Sequence, residues 1–273
     1  MTPRRRYRLA LPVGAGMLAV MLLGALAVLY FGRADPYATD LAARLEPPGP
    51  AHPLGRDALG RDLLARLCLG GCLSLAVAST AVALSLAAGV LVGAVAGWRG
   101  GWTDAVVARV IDVFFAFPGQ LLAIALAAVL GPSLENVVLA LAAFGWTGYA
   151  RLVRAEVAAL RHREFVEAAR TLGVPAVRIV GRHVLPAAAP LVLVQAIFAL
   201  SAVVVAEASL SFLGLGAAPP TPSLGGMLDE GRLFMFVAPH ALVVPAVALA
   251  LIVLALQLVG DGLRDLLDVR DAD

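Results

Sequence analysis

Long stretches without a charged residue are the feature that most constrains this chain. Residues 9–31 contain no Asp, Glu, Lys or Arg. A helix of that length crosses a bilayer hydrocarbon core of about 30 Å. Hydrophobic residues make up 61% of the sequence and charged residues 15%, whereas soluble domains average about 45–50% and about 25%. The pattern therefore predicts an all-α integral membrane protein.

The apolar runs predict six membrane-spanning helices, at residues 9–31, 73–97, 106–130, 137–149, 191–212 and 241–259. The first is too long for a signal peptide, whose apolar core is about 7–15 residues, and is interpreted as an uncleaved anchor. The fourth is short, so its helix is expected to continue past Arg151. The predicted organisation is a cytoplasmic N-terminus, an anchor, an external segment, a membrane core and a cytoplasmic tail, at residues 1–8, 9–31, 32–72, 73–260 and 261–273.

Arginine placement orients the chain, because cytoplasmic loops carry an excess of basic residues. Arg4, Arg5, Arg6 and Arg8 precede the first span and place the N-terminus in the cytoplasm. The loop at residues 151–190 carries seven arginines, namely Arg151, Arg154, Arg161, Arg163, Arg170, Arg178 and Arg182. Four spans from a cytoplasmic N-terminus also end on that side. Both features predict a cytoplasmic loop, and the count of spans predicts a cytoplasmic C-terminus.

The cytoplasmic loop has the pattern of a helix, a turn and a second helix. Gly173 can adopt a positive φ without steric cost and is expected to end the first helix. Pro175 suits the start of a second short helix, and Pro186 is expected to stop it. Positions i, i+3, i+4 and i+7 form one apolar face of the first helix, and they are Phe165, Ala168, Ala169 and Leu172.

Two segments are predicted on the outside. In residues 33–70, the repeat Leu-Gly-Arg-Asp occurs twice, and a short amphipathic helix along the membrane surface is expected from Leu59, Leu63 and Leu67. Residues 214–239 are rich in Gly and Pro and are expected to contain a re-entrant turn or a short surface helix.

Three features are expected inside the spans. Small residues recur every fourth position from Ala81 to Gly97, which allows close helix packing either within the chain or between subunits. Pro118 is expected to kink the third span. Arg109 and Asp112 can pair, and Glu207 is expected to face protein or water. All three residues are candidates for lining a pathway or for pairing with a partner. The alternative for Glu207 is a charge at the end of a helix, at the membrane interface.

Several kinds of chemistry are not indicated by the sequence. The zinc-protease and serine-hydrolase motifs are absent, and Cys68 and Cys72 are interpreted as packing residues rather than a metal site or a disulfide. A Walker A phosphate loop requires a Lys, and this chain contains none. The chain is therefore expected to be a non-enzymatic subunit without a metal site, and any ATP that drives it must bind another chain.

The loop resembles the cytoplasmic EAA loop of ABC-importer permeases, whose pattern is E-A-A-x3-G-x9-I-x-L-P. The matching residues are Glu167, Ala168, Ala169, Gly173, Leu185 and Pro186, and His183 replaces the Ile. Stretches across the rest of the chain are similar to the second permease subunit of the peptide and nickel importers. They are residues 52–67, 101–104, 149–156, 164–173, 182–186, 207–216 and 260–268.

This resemblance implies an architecture and a set of partners. The chain would be half of a translocation pathway in a bacterial inner membrane, with a second permease subunit, two cytoplasmic ATPases that bind ATP and Mg, and an external binding protein. Membrane lipid is the remaining partner, and nucleic acid is not expected. The residues implied to couple to the ATPase are Phe165, Glu167, Ala168, Ala169, Leu172 and Gly173.

The expected cargo is a di- or oligopeptide, with nickel or another small chelate as an alternative. A secondary transporter or channel is the alternative from a different class. That alternative requires a self-sufficient pathway and more intramembrane charges than Asp112 and Glu207 provide.

Overall fold

A computed structural model describes residues 9–32 and 34–268. The α-helices of these residues are α1 Ala10–Phe31, α2 Leu63–Arg99, α3 Gly101–Phe115, α4 Gly119–Leu130, α5 Leu134–Leu160, α6 Glu164–Thr171, α7 Ala176–Ile179, α8 Leu185–Phe212, α9 Leu224–Arg232 and α10 His240–Asp268. A 3-10 helix occupies Leu41–Ala43, and a π-helical turn, Val180–Val184, joins α7 to α8. The predicted cytoplasmic N-terminus at 1–8, Arg33 and residues 269–273 of the tail lie outside the described residues.

The prediction of an all-α protein with six spans is confirmed. Helices α1, α2, α5 and α10, together with the continuous segment Ala176–Phe212, are each long and apolar enough to cross a membrane. Helices α3 and α4 meet at 80° and pass the same length and hydropathy criteria only as a pair, and the count is six when this pair is taken as one broken span. A kink at Pro118 was too mild a prediction, because the helix ends at Phe115 and restarts at Gly119. Proline lacks an N–H, and its ring clashes with the carbonyl four residues earlier, so the helix breaks.

Three predicted boundaries are wrong. The separate surface helix does not form, because Leu63 and Leu67 already belong to α2, while Leu59 lies in the preceding loop. The side chain of Asp62 accepts a hydrogen bond from the Ala65 amide (2.7 Å) and so starts α2 about ten residues before the predicted span. Pro186 does not stop a helix, because it directly follows the π-helical turn Val180–Val184, and such turns accommodate local irregularities inside a continuous helix.

The spans connect two faces of the molecule. The loop face carries residues 161–184 and the junction of α2 and α3. The distal face carries residues 34–62 and α9. Helix α10 continues without a break to Asp268 towards the loop face, so residues 261–268 of the predicted tail extend the last span.

Small residues of α2 pack against α5 within this chain. The sequence had left open whether they pack within the chain or between subunits, and the structure shows packing within the chain. A Cβ atom on Gly89 would lie 2.6 Å from the Trp146 carbonyl oxygen, and one on Gly93 would lie 2.6 Å from that of Ala150. The two helix backbones are in direct contact at these positions, as small residues permit in a membrane. The stripe is an internal packing surface.

Helix α9 confirms the expectation of a short helix in the 214–239 segment. The Ser223 hydroxyl accepts a hydrogen bond from the Gly226 amide (3.1 Å) and caps the helix. Gly225 packs against the backbone of Ala208 in α8, and Gly231 packs against that of Ala241 in α10. Because the helix is wedged between two spans, it is partly buried rather than lying free on the surface.

Candidate functional site

Helix α6 presents one face to solvent and one to the rest of the protein. Phe165 is 44% exposed and Leu172 is 82% exposed, and Ala168 lies on the same outer side. Ala169 was predicted on this face, but it packs inward. The outer surface of the helix is therefore narrower than the sequence pattern indicated.

The inner face of α6 is anchored by Val166, which is completely buried. Val166 belongs to an apolar cluster that also contains Val157 of α5, Ile179 of α7 and Val184 of the π-turn. Sequence analysis missed Val166. The only signal for it was its spacing of three from Ala169, which gives a second apolar stripe on the same helix.

Two arginines, one within α5 and one at its C-terminus, connect the loop to the start of the broken span. The Arg161 Nη1 atom donates to the Gly97 carbonyl oxygen (3.2 Å) near the end of α2. The Arg154 Nη1 atom donates to Asp104 Oδ1 (2.9 Å) in the first turn of α3. The end of α5 is therefore tied to both sides of the junction between α2 and α3.

A third arginine holds α6 itself. The Arg170 guanidinium lies over the Trp98 ring, 4.6 Å from its centroid. A cation over an aromatic face contributes about 0.5–1 kcal/mol at exposed sites. Through Trp98, α6 contacts the last turn of α2, so a displacement of α6 acts on the spans at that junction.

The turn after α6 depends on Gly173, whose φ of +76° lies in the left-handed region. The Gly173 amide donates to the Arg170 carbonyl oxygen (2.9 Å). A Cβ atom there would have open space among the described residues, so the requirement for glycine is conformational and not steric. Glu167 lies in the first turn of α6 and is exposed, where a carboxylate interacts favourably with the helix dipole.

The three intramembrane charges have different surroundings. Arg109 and Asp112 are both exposed on α3. The predicted pairing between them is absent from the ion pairs of the described residues. Glu207 is completely buried in α8, and its Oε1 atom accepts a hydrogen bond from the Ser211 hydroxyl (2.7 Å). Glu207 thus faces the interior of its own chain, and it is not a helix-end charge at the surface.

The distal face contains a buried cluster of charges that the sequence did not predict. Asp57 Oδ2 contacts Arg61 Nε at 2.6 Å and Arg66 Nε at 3.2 Å. Glu230 of α9 pairs with both arginines, at 2.8 Å and 3.5 Å. Asp57, Arg61 and Arg66 are each at least 96% buried. The repeated Leu-Gly-Arg-Asp motif was the signal, because it supplies Asp57 and Arg61.

A second layer of polar contacts surrounds this cluster. His52 Nδ1 lies 2.7 Å from Asp62 Oδ2, and His52 Nε2 lies 2.7 Å from Arg56 Nη2. A guanidinium can only donate, so His52 Nε2 accepts, and the ring proton on Nδ1 is donated to Asp62. Arg56 also pairs with Asp40 and Glu46. The segment at residues 34–62 is therefore a compact, hydrogen-bonded unit.

Comparison with known proteins gives a consistent set of similarities. Residues 89–270 match the family described as "Binding-protein-dependent transport system inner membrane component". The chain is 40% identical over 272 residues to the glutathione transport system permease protein GsiD of Pectobacterium atrosepticum, over 98% of this chain and 89% of that protein. It is 47% identical over 223 residues to GsiD of Escherichia coli, over 82% and 74%.

A solved structure shares the fold. A chain of the MetNI methionine ABC transporter, in an inward-facing conformation, aligns with a TM-score of 0.59 at 21% identity. The alignment covers 74% of this chain and 95% of that chain. At this identity the similarity concerns the fold alone.

Proposed function

The chain belongs to the family of binding-protein-dependent transport system inner membrane components, and on that basis we propose how it works. It is a multi-pass permease subunit of an ATP-driven importer. This assignment replaces the secondary transporter or channel, which the sequence had left as an alternative. We propose that α6 is the coupling helix, which docks on a separate cytoplasmic ATPase. The observation that carries this proposal is a short helix with an exposed apolar face and a buried inner anchor.

The proposed contact surface consists of the outer face of α6 and the first residues after the turn. Phe165 and Leu172 supply exposed apolar area, and Ala168 between them permits close approach. Val177 of α7, which follows Gly173 in the chain, is 86% exposed and supplies further apolar area. Outside the spans, a contiguous patch of exposed apolar side chains is typical of a protein contact site.

The proposed route of force runs from α6 to the broken span. Closure of the ATPase dimer displaces α6, and Val166, Arg170 and Trp98 transmit the displacement to the end of α2. The contact between Arg154 and Asp104 transmits it to α3. Coupling requires that the ATPase bind α6 differently in the two states of the permease.

The proposed assembly contains a second permease subunit, two ATPases that carry ATP and Mg, and an external binding protein. This chain catalyses no step of ATP hydrolysis in the proposal. Charged side chains in a membrane face protein or water rather than lipid. Arg109 and Asp112 are therefore proposed to face the translocation pathway or the second permease subunit.

The proposed cargo is a short peptide. Relatives at 40% and 47% identity are named for transport of glutathione, which is a tripeptide. Nickel or another small chelate remains the alternative cargo, and the described residues contain no group of His, Cys, Asp or Glu side chains that could hold a metal ion. The proposed orientation places the loop face and both termini in the cytoplasm.

Docking can be tested in the reconstituted importer. Phe165→Asp and Leu172→Asp each place a charge in the proposed contact. A hot-spot residue contributes about 2 kcal/mol, so the affinity for the ATPase is expected to fall about thirtyfold, and cargo-stimulated ATPase activity with it. Leu266→Asp is the matched control, because Leu266 is a 53% exposed residue of α10 outside the loop. Wild-type stimulation in both loop variants would show that α6 is not the docking helix.

Orientation needs a separate measurement. Cysteines are placed at Thr171 on the loop face or at Phe236, which is 90% exposed on the distal face, after Cys68 and Cys72 have been changed to Ser. A membrane-impermeant maleimide added to cells with a permeabilised outer membrane is expected to label position 236 only. Inverted vesicles should reverse the result, and labelling of position 171 from outside contradicts the proposed orientation.

A further inference from the structure

An apolar groove of about 310 Å³ separates the distal half of α1 from the first turns of α2. Its walls are side chains such as Met21 and Val28 of α1 and Leu67 and Leu75 of α2, and Ile252 of α10 forms its back. By length and hydropathy, α1, α2 and α10 are each able to span a membrane. The α1 residues that line the groove lie between Leu18 and Val28, inside the apolar run of α1, so we place the groove within the hydrocarbon region.

Helix α1 approaches α10 closely near its start. Gly14 is the buried residue of α1, and a Cβ atom on it would lie 2.7 Å from the Ala255 carbonyl oxygen of α10. Further along α1, Gly24 lines the groove, and opposite it Gly71 of α2 also lacks a side chain. A Cβ atom on either glycine would meet nothing within 4 Å among the described residues.

The chemistry of the walls limits what can bind. The lining side chains are hydrocarbon, apart from the thioether of Met21 and the thiols of Cys68 and Cys72, and none of those described carries a charge. A peptide or a metal chelate would leave its polar groups unpaired there, which costs several kcal/mol per group in an apolar medium. The site is thus unsuited to the cargo proposed above.

We propose that the groove binds one acyl chain of a bilayer phospholipid. A void in the bilayer interior loses the dispersion contacts of its walls, and lipid chains are the most abundant groups available to restore them. A second permease subunit offers helices about 10–12 Å in diameter, which are too thick to enter a gap of this volume. A flexible hydrocarbon chain fits it. This inference is independent of the proposed function.

The test uses the complete importer in nanodiscs that contain a phosphatidylcholine with a diazirine near the end of one acyl chain. After illumination, adducts are mapped by mass spectrometry. A binding site predicts adducts on α1 and α2 residues around Cys72 that saturate as the fraction of the probe rises. Adducts on Leu121 of α4, which is 61% exposed, are expected to rise linearly, as for bulk lipid.

Two variants fill the groove without a backbone clash. Gly71→Leu and Gly24→Leu are each expected to reduce the saturable adducts about tenfold or more, because an extra large side chain occupies the site. Gly16→Leu is the matched control, since it lies on α1 outside the groove and its Cβ atom also has open space.

The outcomes are distinct. Saturable adducts that disappear with either filling variant and persist with the control support the proposal. Linear adducts around Cys72 in the wild-type importer overturn it, because the groove is then ordinary lipid-facing surface. Absence of adducts there, with normal labelling of Leu121, also overturns it, and it means that a protein segment covers the groove.

Discussion

The buried charges on the distal face support the most quantitative prediction. Asp57 is 3% exposed and contacts Arg61 and Arg66, which are 4% and 2% exposed. Its Oδ1 atom also accepts from the Leu59 and Arg61 amides, both at 2.9 Å. In Asp57→Ala, Glu230 is the acidic partner that remains for the two buried guanidinium groups among the described residues, and its side chain is 41% exposed. Removing one partner of a buried pair costs about 3–5 kcal/mol.

Hydrogen exchange of the reconstituted importer can measure this cost. Each 1.4 kcal/mol is a factor of ten, so amide exchange in residues 54–66 and in α9 is expected to accelerate about 150-fold to 5,000-fold in Asp57→Ala. The control is Asp229→Ala, which removes an exposed pair with Arg232 in the same helix. Such surface pairs contribute about 0–1 kcal/mol, which corresponds to at most about fivefold.

A second variant separates charge from packing. In Asp57→Asn with Arg66→Met, one carboxylate and one guanidinium are removed together, so Arg61 keeps Glu230 as its partner, and the new amide oxygen can still accept from the Leu59 and Arg61 amides. The double variant is expected to recover most of the protection that Asp57→Ala loses. The reasoning is refuted if Asp57→Ala and Asp229→Ala exchange at the same rate within a factor of about ten, or if the double variant exchanges as fast as Asp57→Ala.

Three further predictions concern the spans and the loop. Val166→Asp buries a charge without a partner, so it should lower the melting temperature strongly, with a cost of about 3 kcal/mol or more in the free energy of unfolding. Leu172→Asp should leave the melting temperature nearly unchanged. Equal shifts in the two variants would contradict the assignment of the two faces of α6. Gly93→Ala should cost about 1–3 kcal/mol in thermal unfolding by forcing α2 from α5, whereas Gly148→Ala, with open space around its Cβ, serves as the control for helix propensity. Glu207→Gln keeps an acceptor for its serine and should melt near the wild type, whereas Glu207→Ala should lose about 2 kcal/mol or more; a reversed order would show that the hydrogen bond is not the stabilising contact.

The sequence predicted the spans well because each depends on a local property, the length of an uncharged run. Their ends depend on single capping and breaking residues instead. Asp62 starts α2 before the apolar run begins, and Pro118 divides a span that hydropathy treats as continuous. Each of these effects involves one side chain, and it does not show when hydropathy is averaged over a window of many residues.

The faces of α6 illustrate a different limit. Both stripes of this helix are apolar enough to be buried, and periodicity alone does not say which one faces the protein. Val166 is buried because α5, α7 and the π-turn converge on it. The distal cluster is harder still, because Arg61 and Glu230 are separated by 169 positions. Their contact depends on the whole arrangement of spans.

Helix α2 has a mechanical consequence that follows from its length. Its 37 residues rise about 55 Å at 1.5 Å per residue, well beyond the hydrocarbon thickness of about 30 Å. One end carries Arg66 in the distal cluster, and the other carries Trp98 beneath Arg170. A straight rod of this length that rotates by about 10° around its middle moves its two ends in opposite directions by about 5 Å each. In the proposed coupling, one continuous helix would therefore act as a lever, and a push on the loop face would become an opposite displacement at the distal face.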